Sequence, residues 1–364
     1  MPLRNPLTRR ISSDEPIRIL SIGGGTGLST LLQGLKYYAN PELSAALPSP
    51  MREPLNRPLE LTAVVTVTDD GGSSGRLRRD FDVLPPGDIR NCMVALSEDA
   101  ALLSKLFQYR FSAGRGLKGH SFGNLFLTAL TQITGDFAHA VKLSSEVLAS
   151  TGRIFPSTGA NVVLQAKLED GTLVTGETQI SKAKSRIQTV LLKPRRIHPL
   201  SETLEAIEQA DLITFGPGSL FTSVIPNLLV SGIPEAIAKS SAIKAYFCNL
   251  MWQPTETMNF TAVDHVTAIH KHARCNLIDC IIVNSKPVSA PHRRRYAAEQ
   301  VQPVAVDMEQ LLKMGLRVVE EDLLARSEKV RHDPHRAAGV AIRLALSGRR
   351  RRQRAQSFQS AAGL

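Results

Sequence analysis

The stretch Ile17-Arg18-Ile19-Leu20-Ser21-Ile22-Gly23-Gly24-Gly25-Thr26-Gly27-Leu28 decides the fold. A short apolar, β-branched run ends in four glycines and a threonine. Beyond it, Leu28, Leu31, Leu32 and Leu35 recur at helical spacing, which puts them on one face of a helix. Strand, glycine turn and helix open a βαβ unit. The glycines permit close backbone approach and positive φ, and the helix start offers free N–H groups and a positive dipole end to an anion. Taken alone, the turn suits a phosphate or is merely tight. It departs from the dinucleotide fingerprint, because Leu28 follows Gly27, and no Gly-Lys-Ser/Thr marks a P-loop.

Working outward, prolines 41, 48, 50, 54 and 58 make 39–58 a loop insertion. Leu59–Val67 then reads as a second buried parallel strand. Residues 87–150 read as four helices. Residues 153–192 read as a β-rich excursion whose hairpin turns at Asp170-Gly171. Ser201–Ala210 reads as a helix capped by Ser201. Asp211–Phe215 is a core strand running into Gly216-Pro217-Gly218-Ser219, a second glycine turn. Helices over 219–230 and 233–240, strands 243–248 and 277–284, and a helix from His335 to Leu346 follow. This alternation predicts an α/β fold: a Rossmann-like, doubly wound, mostly parallel sheet with an inserted β-hairpin region. The expected layout is a flexible tail at 1–16, one domain over 17–346 and a basic tail at 347–364.

The loops after the strands carry the polar chemistry. Asp69 and Asp70 stand at the second strand's end, before Gly71, Gly72, Ser73, Ser74 and Arg76. Adjacent carboxylates can hold Mg²⁺ or accept hydroxyls, and Arg76 suits phosphate. Asp88, Arg90 and Asn91 cluster at one helix start, and His120, Ser121 and Asn124 at another. Capping needs one such side chain, not three. With Gly216, Gly218 and Ser219, two phosphate cradles in one sheet suit a nucleotide diphosphate.

Composition bounds the alternatives. The chain has 364 residues, 43% of them hydrophobic, and no run near the ~20 apolar residues of a membrane span. The N-terminus carries no secretory signal, so the cytoplasm is expected. Of the net charge of +11, three charges come from Arg4, Arg9 and Arg10 and five from Arg349, Arg350, Arg351, Arg352 and Arg354. The basicity is thus terminal and reads as solvated tails. Nucleic acid is disfavoured, because no aromatic–basic stripe is present. The four cysteines do not pair as metal ligands and are expected reduced. His265, His270 and His272 are expected to be structural.

The runs GGGTGL (23–28), TDDGGSSGRLR (68–78), PPGDIRN (85–91), HSFGNLFL (120–127), FGPGSLFTSVIPNLL (215–229) and QPTET (253–257) together resemble the YvcK/CofD-like family, over roughly 17–346. The likeness is to its bacterial YvcK branch, the gluconeogenesis factors. That implies a cytoplasmic, Rossmann-like protein that binds a UDP-sugar, UDP-N-acetylglucosamine in studied members, and supports cell shape and wall synthesis during gluconeogenic growth. It also implies protein partners in wall synthesis, and leaves a homo-oligomer open. The other branch transfers 2-phospho-L-lactate with Mg²⁺. By that analogy Asp69 and Asp70 would be the metal ligands, and the catalytic residues, if the chain is an enzyme. The resemblance adds Asn249, Gln253, Phe260 and Arg331 to the nucleotide-sugar residues. The chain departs from the family pattern at Trp252, Thr255, Met258 and Phe260; the last keeps a ring for stacking but lacks tyrosine's hydroxyl.

Overall fold

The computed structural model describes residues 15–40, 43, 55, 57–97 and 102–362, with side chains described as far as Arg354. Most of the 1–16 and 39–58 segments lies outside these residues. The strands are β1 (Ile17–Gly23), β2 (Leu59–Val65), β3 (Arg153–Pro156), β4 (Val163–Leu168), β5 (Leu173–Thr175), β6 (Ile187–Lys193), β7 (Leu212–Phe215), β8 (Ile243–Phe247), β9 (Cys280–Asn284) and β10 (Arg317–Glu321). Seven form one sheet in the order β10-β9-β8-β7-β1-β2-β3, with every adjoining pair parallel. Strand order reverses between β1 and β7, so the crevice at their C-terminal ends is where such sheets hold ligands.

The helices are α1 (Gly25–Ala39), α2 (Gly72–Phe81), α3 (Gly87–Leu96), α4 (Leu102–Gln108), α5 (Phe122–Thr134), α6 (Phe137–Val147), α7 (Glu177–Ile180), α8 (Ser201–Gln209), α9 (Ile225–Leu228), α10 (Ile233–Lys239), α11 (Ala262–Ala273), α12 (Ala290–Ala297), α13 (Met308–Lys313) and α14 (Pro334–Ala362). Leu28, Leu31, Leu32 and Leu35 are fully buried on α1, each contributing about 1.5–3 kcal/mol. On its other side α1 crosses α14 so closely that a methyl on Gly34 would run into the Pro334 carbonyl.

Several expectations are corrected. The β excursion begins at Val163, not at 153, because β3 pairs with β2 in the main sheet. The small sheet is antiparallel β5-β4-β6. Its hairpin strand stops at Thr175, where Gly176 takes φ +92 and turns the chain into α7. The residue capping α8 is Leu200; the Ser201 hydroxyl donates to Glu202 instead. The polar run after Asp70 is a helix, α2. Strand β10, Arg317-Val318-Val319-Glu320-Glu321, lies at the sheet edge and has only two apolar residues, so it gives little apolar signal.

The largest correction concerns the basic end. The final helix does not stop at Leu346 but continues to Ala362. Arg349 and Arg352 are 3% and 8% exposed. Both reach Asp211, which is fully buried at the start of β7, at 3.1 and 3.3 Å. Arg349 also pairs with Glu15 at 3.2 Å and donates to the Pro16 carbonyl. Burial raises the Asp211 carboxyl; the Arg18 N–H and the two arginines oppose that shift. The arginine run therefore joins the chain's last helix to its first and seventh strands.

No single helix among the described residues is long and apolar enough to cross a membrane. All four cysteines are free. His265 Nδ1 lies 2.8 Å from the Thr261 carbonyl, His270 accepts from the Ile278 N–H, and His272 accepts from the Val190 N–H. The three histidines are thus structural.

Candidate functional site

The two glycine turns face each other across the switch point. Gly25 needs its positive φ of +61 to enter α1. Gly27 has no room for a side chain: a methyl there would run into the Pro217 carbonyl of the opposite turn. Gly24, the N-cap of α1, has no side chain to cap it; the Gly25 N–H goes to Asp88, and Thr26 and Gly27 of the same turn line the crevice. Gly23 ends β1, its carbonyl accepting from Thr66 N–H at 2.9 Å and from buried Asn227 Nδ2 at 3.2 Å. Gly216 takes φ +68 at the end of β7. These two glycines shape the turns from behind.

The crevice holds a cavity of about 430 Å³. Among the expected residues, Gly24, Gly25, Thr26, Gly27, Asp88, Gly218, Ser219, Asn249, Gln253 and Arg331 line it. The segment after β8 forms one wall. Gln253 Nε2 donates to Ser219 Oγ at 2.6 Å, and Gln253 Oε1 accepts from Asn249 Nδ2 at 2.9 Å. This fixes the second glycine turn to the wall. His332 also lines the cavity; its Nε2 lies 3.2 Å from the Cys248 carbonyl, and burial lowers its pKa to about 4, so the ring is neutral.

Sequence reasoning missed Glu177, Trp252 and Tyr296 on the wall. Trp252 had been singled out only as a departure from the family pattern. Its Nε1 donates to the Phe260 carbonyl at 2.9 Å, which leaves Phe260 behind it. Phe260 packs edge-on against Phe221 and His265 and does not line the cavity. The aromatic faces available to a ligand are therefore Trp252 and Tyr296. Glu177 gave no signal because it stood in an expected strand.

Two carboxyls, Asp88 and Glu177, line the cavity. Burial, then Asp69, pushes Asp88 up to about 7, against a bond from the Gly25 N–H. Burial, then Asp88, pushes Glu177 up to about 9. Burial puts Glu256 at about 7, with Thr222 Oγ1 3.2 Å away. Asp69 and Asp70 turn to different segments: Asp69 accepts the Gly71 N–H at 2.9 Å, whereas Asp70 accepts the Thr178 N–H and hydroxyl at 2.8 and 2.6 Å. Among the described residues no group of three or more His, Cys, Asp or Glu side chains is placed to hold a metal.

The remaining expected residues, Gly71, Gly72, Ser73, Ser74, Arg76, Arg90, Asn91, His120, Ser121 and Asn124, do not line the cavity. They gather beyond Asp88, at the first turns of α2, α3 and α5. Ser121 caps α5 by accepting the Asn124 N–H at 3.3 Å, and Arg90 donates to Asn91 Oδ1 at 2.5 Å.

Comparison with known proteins agrees with this architecture. The family described as 2-phospho-L-lactate transferase CofD matches residues 19–324. The chain is 47% identical over 328 residues to the gluconeogenesis factor of Bacillus subtilis, covering 90% of this chain and 98% of that one. It is 46% identical to the gluconeogenesis factor of Halalkalibacterium halodurans, over 89% and 95% of the two chains. A crystal structure of a Bacillus halodurans protein superposes with a TM-score of 0.83 at 44% identity, covering 90% of this chain and all of that one. With matching motifs in order, a parallel sheet reversing between β1 and β7, and identity sustained over nine-tenths of its length, the chain belongs to the CofD family, on the side of the gluconeogenesis factors.

Proposed function

We propose that this chain is a cytoplasmic UDP-sugar-binding factor, with UDP-N-acetylglucosamine as the ligand to test first, acting in cell-wall synthesis and cell shape during gluconeogenic growth. The observation that carries this reading is the pair of opposed glycine turns. The first turn of α1, beyond the Gly25 N–H held by Asp88, and the Gly218-Ser219 turn offer N–H donors to the diphosphate. Arg331 adds a guanidinium, and Trp252 and Tyr296 offer ring faces to the base. The cavity volume lies in the range usual for small-molecule sites. The test is direct because Trp252 is the only tryptophan in the chain. Titrating UDP-N-acetylglucosamine should change its fluorescence saturably; no change, together with no heat in calorimetry, would sink the proposal.

A second reading, Mg²⁺-dependent transfer from a nucleotide-diphospho donor, is favoured by Asp88 and Glu177. Both stand on the cavity wall with pKa values near or above neutrality, where a carboxyl can accept or give a proton. Phosphorus NMR over hours with a nucleotide-diphospho donor separates the readings: a new metal-dependent phosphorus signal supports transfer, and an unchanged spectrum supports binding alone.

A further inference from the structure

Three helices begin at one place outside the nucleotide cavity. Ser73 Oγ on α2 lies 3.0 Å from His120 Nδ1, just before α5. A methyl on Gly123 of α5 would lie 2.9 Å from Arg90 Cδ on α3, and one on Gly87 would run into Ser74 Oγ. The helices have 10, 10 and 13 residues, long enough for the dipole ends to count.

A separate observation points to a ligand. Asn124 is 2% exposed, and its side chain makes no hydrogen bond among the described residues, the Oδ1 being fully buried. Such an atom costs about 1–3 kcal/mol if nothing satisfies it. Asn124 is the third residue of α5, and helical side chains lean back over the helix start; the amide can present either its oxygen or its nitrogen there. Arg90 Nε is likewise buried without a partner. His120 is 5% exposed; Ser73 holds its Nδ1, and its Nε2 makes no hydrogen bond among the described residues. Burial, with Arg76 and Arg110 nearby, lowers the His120 pKa, against Asp80. Burial and the charge of Arg110 lower the Arg90 pKa, against Asp88 and Asp69. Arg76 is fixed beside the junction by the Lys118 carbonyl at 2.9 Å.

We propose that this junction is a second anion subsite, which takes the phosphate group of free phosphate or of a phosphate monoester and is separated from the nucleotide cavity by Asp69 and Asp88. Donors from several directions suit a tetrahedral oxyanion better than a planar carboxylate. The subsite stands independently of the nucleotide reading, since none of Ser73, Arg90, His120 and Asn124 lines that cavity.

The test uses the full chain labelled with nitrogen-15 at its nine histidines, with His120→Gln assigning the ring signal. Inorganic phosphate, glycerol phosphate and acetate are titrated separately at constant ionic strength. Either phosphate compound should shift the His120 signal saturably, and the tighter of the two identifies the source. Arg90→Gln and Asn124→Ala should each weaken the response, by about tenfold or more for the charged group, with the other histidine signals in place as proof of folding. Overturning results are a His120 signal that phosphate does not move, one that acetate moves equally, or a response that Arg331→Ala removes as fully as Arg90→Gln. UDP-N-acetylglucosamine that fails to move His332 while phosphate moves His120 would sink the nucleotide reading alone.

Discussion

Replacing Arg349 by leucine removes a guanidinium from a site where Asp211 has no access to water. Losing one partner of a buried pair costs about 3–5 kcal/mol. Here Asp211 keeps Arg352 at 3.3 Å and the Arg18 N–H at 2.9 Å, so the expected loss is about 2–3 kcal/mol. Unfolding entropy of about 2.1 cal/mol/K per residue over 364 residues amounts to about 0.8 kcal/mol/K. The midpoint should therefore fall by about 3–4 °C. Ending the chain at Ser347 removes both arginines and should cost more. Because burial outweighs the arginines at Asp211, the triple change Asp211→Leu, Arg349→Leu and Arg352→Leu should regain part of the loss. Differential scanning calorimetry measures all three. A midpoint within about 1 °C of wild type for both the single substitution and the truncation would refute the docking of this helix.

Three further outcomes are expected. Gly27→Ala should force the two glycine turns apart and abolish nucleotide-sugar binding, which calorimetry on the folded variant reads; wild-type affinity would remove the opposed turns from the site. Trp252→Ala should weaken binding by about 1–3 kcal/mol, or about 5- to 150-fold, the worth of a stacked base, while Phe260→Ala should act only on stability; equal effects on affinity would contradict the placement of the two rings. Asp88 has its pKa raised to about 7, so its proton is held at pH 6 and lost by pH 8. Ionisation places a negative charge beside the diphosphate and, since the folded pKa exceeds the unfolded one, also lowers stability as pH rises through 7. Affinity should fall about two- to tenfold from pH 6 to 8, and Asp88→Asn should flatten that profile; an unchanged slope would place the titrating group elsewhere.

The strand–glycine–helix reading of 17–38 and the second turn at 216–219 were legible because close backbone approach and helical periodicity leave local marks. Trp252 and Glu177 were not. Their role depends on which side of a wall a loop presents, and that is set by contacts such as Trp252 with the Phe260 carbonyl. The basic end was misread for a related reason. A run of arginines looks like a solvated tail unless a buried carboxylate, here Asp211 more than a hundred residues earlier, is known to face it. Asp70 shows the same limit: its neighbour in sequence is Asp69, but its partner in space is Thr178.

The order β3-β2-β1-β7 has a consequence for how the protein is made. Gly25 is synthesised near the beginning, the facing turn at 216–219 much later, and Arg331 306 residues after Gly25. At roughly 5–20 residues per second, translation needs about 15–60 s to supply the last wall of the cavity. For the earlier part of that interval, until β7 (Leu212–Phe215) is made, the apolar β7-facing edge of β1 has no strand to pair with. A ribosome-stalled fragment ending before 211 should therefore recruit folding helpers at this edge, and ligand capture by the growing chain should begin only once the segment carrying Arg331 has cleared the exit tunnel.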